Sequence, residues 1–129
     1  MEVLTSGDVG SLVAQTILSA DNPVGDVVYG IDNTFMQRVL DQTVLEPYET
    51  AELANVPDEF EFDSTHRLTP IDYGDVCVNY WIDALDGTPP QSLMDLVSSE
   101  FAGSLVVQSP ETSSPGLAFL LATIAGTPD

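Results

Sequence analysis

The sequence predicts an α/β fold with a parallel sheet, and three observations carry the prediction. The first stretch of about 45 residues alternates strand, helix, strand, helix, the order of βαβ units. Asp75 to Ile82, rich in Val, Tyr and Trp, is the best strand in the chain. Near the end, a β-branched run (Leu105 to Val107) passes through a Ser/Thr-rich loop, Ser109 to Ser114, into a strongly apolar helix.

Taken in order, Glu2 to Ser6 reads as a short strand and Gly7 to Gly10 as a turn. Ser11 is placed to cap a helix whose inner side is Leu12, Val13, Ile17 and Ala20. Asp21-Asn22-Pro23 stops it. Asp26 to Gly30 is a buried-type strand ending in Gly30-Ile31-Asp32-Asn33. Asn33 can cap the next helix, with Phe35, Met36, Val39, Leu40 and Val44 on one face, closed by Glu46-Pro47. Residues 46–70 hold Pro47, Pro57, Pro70 and a dense set of acids, which predicts a long surface excursion. After the strand at 75–82, Gly87-Thr-Pro-Pro90 is a stiff break, and Gln91 to Phe101 reads as a short helix with Leu93, Leu96 and Val97 inward. In the last helix Ser113 or Ser114 stands at the N-cap, with Pro115 at the first helical position, where a missing N–H costs nothing. Its Leu117, Phe119, Leu120, Leu121 and Ile124 leave it apolar nearly all round, so it demands cover on several sides. Little chain follows, which predicts either a cut chain or a homodimer through this helix.

Composition narrows the function. At 129 residues with 43% apolar side chains, there is enough for one core. Two Lys+Arg stand against 21 Asp+Glu, a net charge of −19. Both cations are arginines, Arg38 and Arg67. The acids are spread along the chain, a property of the whole surface that repels nucleic acid and anionic membranes. It suits concentrated salt, where screening shortens to about 3 Å, and so predicts a halophilic source. Cys77 is alone, which excludes an internal disulfide or a cysteine metal cluster, and its apolar neighbours predict a small buried hydrophobe. No run reaches the ~20 apolar residues of a membrane span, and no signal peptide is visible.

Ligands of open α/β sheets collect beyond the carboxyl ends of the strands. Three such ends can be read: Gly7-Asp8, Gly30 to Asn33, and Ser109 to Ser114. Facing one cleft, they would offer two carboxylates and a hydroxyl-rich helix start to a ligand with a positive charge and polar or anionic groups. Taken singly, Asp8 and Asp32 read first as turn or cap carboxylates. Catalytic alternatives fare worse. A Ser113–His66–Asp72 hydrolase lacks the Gly-x-Ser-x-Gly elbow, and a phosphate loop needs the lysine this chain lacks. Asp83 to Gly87 lacks a calcium ladder, and Tyr73 and Tyr80 are a whole strand apart, too far for ferric capture.

At Asp26-Val-Val-Tyr-Gly-Ile-Asp-Asn33, Pro70-Ile-Asp-Tyr-Gly74, Thr88-Pro-Pro-Gln-Ser-Leu93 and Ser109-Pro-Glu-Thr-Ser-Ser-Pro-Gly-Leu117, the chain resembles the thiamine-binding solute receptors of ABC importers. The resemblance implies a partial type II periplasmic-binding-protein-like α/β fold. Residues 1–74 would be a partial first lobe, 75–82 a hinge strand and 83–129 the start of a second lobe. It implies a non-enzymatic, extracytoplasmic receptor without cofactor or metal, binding thiamine or thiamine phosphate and delivering it to ABC permease subunits. Asp8 would hydrogen-bond the ligand, and Thr112, Ser113, Ser114 and Gly116 would lie near its phosphate or hydroxyethyl end. Asp32, Asn33 and Tyr73 would line the cleft mouth. Relative to the family, the opening strand and helix and most of the second lobe are missing, so the chain reads as the middle of a receptor. The alternatives are an iron or oxyanion receptor of the same superfamily and a self-contained acidic α/β domain.

Overall fold

A computed structural model of the chain describes residues 1–126. Three α-helices stand out: α1 (Val9–Leu18), α2 (Met36–Leu40) and α3 (Ser114–Gly126). Single 3-10 turns at Ala51–Asn55, Asp58–Phe60, Ile82–Ala84, Asp95–Val97 and Ser99–Phe101 punctuate the remainder.

α1 begins earlier than expected, because Asp8 and not Ser11 caps it. Asp8 is extended (ψ 173°), and its carboxylate accepts from the Ser11 N–H at 3.0 Å, which satisfies one of the free first-turn donors. Val9, Val13 and Ile17, spaced by four, then form one inward stripe. A similar exchange occurs before α2. Asp32, not Asn33, folds over the helix start, its Oδ1 accepting from the Thr34 N–H (2.7 Å), the Thr34 hydroxyl (2.6 Å) and the Phe35 N–H (3.2 Å). Asn33 is left exposed. In both cases an ionised carboxylate makes the stronger acceptor for backbone donors.

The core lies where these helices meet. Val13, Phe35 and Val39 are buried, and Val9, Ile17, Ile31, Val44, Leu45 and Leu117 pack around them. Leu117 brings the first turn of α3 onto α1 and α2. Arg38 lays its guanidinium over the Phe35 ring, 4.7 Å from the centroid, a cation–π contact that screens the edge of the core.

The 46–70 excursion is surface chain, as expected, but it is tied down. Asp63 accepts from the N–H groups of Thr65 (3.0 Å), Arg67 (2.8 Å) and Leu68 (2.9 Å) and from the Thr65 hydroxyl (2.5 Å). Although desolvation opposes it, these bonds hold the Asp63 carboxyl below its ordinary range. Arg67 reaches back from this knot to the Gln42 carbonyl at 3.1 Å, and the Tyr48 N–H donates to the His66 carbonyl at 2.7 Å. The loop is thereby fastened to the end of α2.

Several expectations are corrected. Among the described residues, none of the runs at 2–6, 26–30, 75–82 and 105–107 forms a strand. Their β-branched side chains supply local preference only, whereas a parallel strand also needs hydrogen-bonding neighbours and two covered faces. Here Val27 (86%), Trp81 (84%) and Val106 (92%) are largely exposed. Cys77 is exposed too, not buried, because the segment around it has no cover. The expected helix over 91–101 is instead two 3-10 turns. Asp95 Oδ2 accepts from the Gln91 and Ser92 N–H groups, and an extended Ser98 (ψ 158°) interrupts the spiral. Val97 consequently points outward and Phe101 inward. Along α3, Leu120, Leu121 and Ile124 stand exposed among the described residues, so the cover expected on several sides of this helix is only partly present.

A chain carrying −19 on so small a core is opposed by its own charge. Raising KCl from 0.1 to 2 M shortens the screening length from about 10 Å to below about 3 Å. The expected result, read by circular dichroism melts, is a Tm that climbs steadily across that range. A flat or falling Tm would show that self-repulsion is not what limits stability.

Candidate functional site

Two helix starts from opposite ends of the chain meet at one place. The second residue of α1, Gly10, has an N–H with no acceptor inside the helix, and it donates to the Thr112 carbonyl at 3.0 Å. Only glycine fits there: a Cβ would lie 2.7 Å from Thr112 Cα and 3.2 Å from the Glu111 and Thr112 carbonyl oxygens. Asp8, two residues earlier, lies beside this junction and accepts from the Ser11 N–H. The Ser11 N–H, then the Ser11 and Thr112 hydroxyls, hold the Asp8 carboxyl below its usual value against desolvation.

On the other side, α3 starts at Ser114, so Ser113 is the N-cap and Pro115 occupies the second helical position. Ser113 Oγ accepts from the Gly116 N–H at 3.3 Å and donates to Gln108 Oε1, and the Ser113 carbonyl accepts from the Leu117 N–H at 2.9 Å. Thr112 and Ser113 N–H groups turn back onto the Ser109 carbonyl. Gly116 is buried, pressed against the 108–109 backbone so closely that a Cβ would sit 2.5 Å from the Gln108 oxygen.

Asp8, Thr112, Ser113, Ser114 and Gly116 thus lie along two helix starts, those of α1 and α3, which the Gly10–Thr112 hydrogen bond joins. The other expected residues lie apart from them by role. Asp32 turns its carboxylate onto Thr34 and Phe35 in the turn that leads into α2, and Asn33 is exposed beside it. Tyr73 is 80% exposed and stacks on Phe60, centroids 4.5 Å apart and planes at 17°. Next to it the Tyr29 hydroxyl donates to Asp72 Oδ2 at 3.2 Å, joining the 26–30 and 70–74 segments in a second cluster. Among the described residues no three His, Cys, Asp or Glu side chains converge as metal ligands would.

Sequence reasoning missed Gly10 and Gln108. Gly10 had a usable signal: a glycine in the first turn of a helix lowers helix propensity, which points to a close approach there. Gln108 had none, since its contact depends on how the loop folds back.

The low Asp8 value has a testable consequence. A carboxyl depressed in the folded state adds stability that is present above its unfolded value, near 3.8, and is lost as pH falls through the folded value. Asp8→Asn keeps a competent cap but removes the titration. In paired acid melts the Tm gap between parent and variant should therefore shrink below about pH 4. A gap that is constant down to pH 2 would mean the Asp8 bonds do not persist in solution.

Residues 22–127 match the family model described as a bacterial extracellular solute-binding protein. Similar curated proteins include the thiamine-binding periplasmic protein of Escherichia coli K12, 33% identical over 112 residues, which are 86% of this chain and 33% of that protein. That of Salmonella typhimurium is 32% identical over the same shares. The Brucella abortus protein of the same name is 30% identical over 119 residues, 92% of this chain and 34% of its own length. The chain therefore spans about a third of the length of the curated relatives it matches. No solved structure matches it. With the family model covering more than half of its residues, the chain belongs to the bacterial extracellular solute-binding proteins.

Proposed function

We propose that the chain is part of the substrate-binding component of an ABC importer for thiamine or thiamine phosphates. In this reading it forms a portion of a type II two-lobed receptor, non-enzymatic and extracytoplasmic, that hands its ligand to permease subunits. Residues 1–74 would belong to one lobe, 75–82 to the hinge and 83–129 to the other. The observation that carries it is the hydrogen bond from Gly10 to the Thr112 carbonyl, which brings the helix start capped by Asp8 onto the 109–116 segment, and in this reading the two form one mouth. A carboxylate there favours the cationic thiazolium, and the α3 start, with Thr112, Ser113, Ser114 and Gly116, favours a phosphate or hydroxyl tail. Asp32, Asn33 and Tyr73 would complete the rim. The similarity to thiamine-binding periplasmic proteins favours thiamine as the ligand.

These 129 residues span about a third of the relatives' length, so binding by this polypeptide on its own is expected to be weak. At millimolar thiamine monophosphate the Tm should rise, since a ligand that binds only the folded state stabilises it by mass action. The rise should vanish in Asp8→Ala. Calorimetry should find no submicromolar site for thiamine at either moderate or molar salt. Ferric ion raising the Tm where thiamine and its phosphate do not would turn the assignment to an iron receptor.

A further inference from the structure

We infer that Gly10 is a positioning residue for the ligand mouth: its N–H and its missing Cβ latch the 109–114 loop onto the start of α1. The N–H of a second helical residue is ordinarily left to water, yet here it meets the Thr112 carbonyl at 3.0 Å. Because the backbone of Thr112 itself occupies the space of a Cβ, the fit cannot be relieved by turning a side chain. The next links are short. Asp8 caps the same first turn of α1, Ser113 caps α3, and Leu117 one turn on packs against the core of Val13, Phe35 and Val39. Gly10 therefore sets the distance between the carboxylate and the α3 start, the two features a ligand with separated charges would read. What the mouth holds rests on the function proposed above, whereas the latch itself does not.

Amide hydrogen exchange on the full chain tests it. In the parent protein the Gly10 amide is expected to exchange about tenfold or more slowly than that of Val9, its neighbour in the same first turn. Gly10→Ala should keep the α1 helical signal, lose protection from Thr112 to Leu117, and abolish the thiamine monophosphate Tm shift. Gly25→Ala, whose nearest foreign atom would be 4.0 Å away, should change none of these. Equal exchange at Val9 and Gly10 in the parent overturns the latch whatever the variant does. So does Gly10→Ala with protection at 112–117 intact. If the parent's latch is protected but thiamine monophosphate has no effect, the latch stands and the vitamin assignment falls.

Discussion

Phe35→Ala is expected to unfold the chain at room temperature. Phe35 is fully buried at the centre of a core whose only other buried side chains, among the described residues, are Val13 and Val39. Removing a buried phenylalanine costs about 3–5 kcal/mol, against a typical total stability of about 5–15 kcal/mol. With so few buried side chains, the chain belongs at the low end of that range, so the loss is close to the whole. Arg38 loses its ring partner at the same time, and Val13 and Val39 are left facing a cavity. Urea titration followed by far-ultraviolet circular dichroism measures the effect. Phe62→Ala, at a side chain 59% exposed, serves as the comparison and should shift the midpoint little. Similar midpoints for the two variants would mean that the α1–α2 contact is not what holds the chain together.

Gly116→Ala should be the most damaging single change at the site. The added Cβ would stand 2.5 Å from the Gln108 oxygen, 2.7 Å from the Ser109 oxygen and 2.8 Å from the Ser109 carbonyl carbon. All three are backbone atoms, so either the 108–109 segment or the first turn of α3 must move. Overpacking of this kind costs about 1–3 kcal/mol, which outweighs the ~1 kcal/mol that alanine gains over glycine in a helix. The movement also breaks the Gly116 N–H bond to Ser113 and pulls Leu117 from the core. Thermal melts should show a clear fall in Tm for Gly116→Ala. Gly126→Ala, at the far end of the same helix with nothing within 4 Å, should be neutral or slightly stabilising. A Gly116→Ala variant as stable as the parent would place the α3 start away from the 108–109 backbone.

Both predictions concern contacts that sequence reading reached only in part. The three helices were legible because each combines an apolar period with a start signal: Asp8 ahead of Val9, Val13 and Ile17; Asp32 ahead of Phe35 and Val39; Ser113 ahead of Leu117. The wrong choice of cap at the first two is a matter of competition. Ser11 and Asn33 are acceptable caps in isolation, but an aspartate nearby holds backbone donors with full charge. Asp8 and the 109–116 segment were also picked out by residue type. Their meeting was not, because it depends on a glycine whose contribution is the absence of atoms.

From its residues alone the chain determined its acidity, its three helical segments, its proline-broken excursion and the motifs of a solute receptor. These are local or compositional properties, fixed by neighbours within a few positions. Only the tertiary structure decided that Gly10 meets Thr112, that Leu117 shares a core with Phe35, and that the β-branched runs stay unpaired while much of α3 stays bare. Those depend on groups from distant parts of the chain arriving together. A hydrogen bond such as that from Gly10 to Thr112 forms when packing has already closed the intervening loop, and no local pattern encodes that closure.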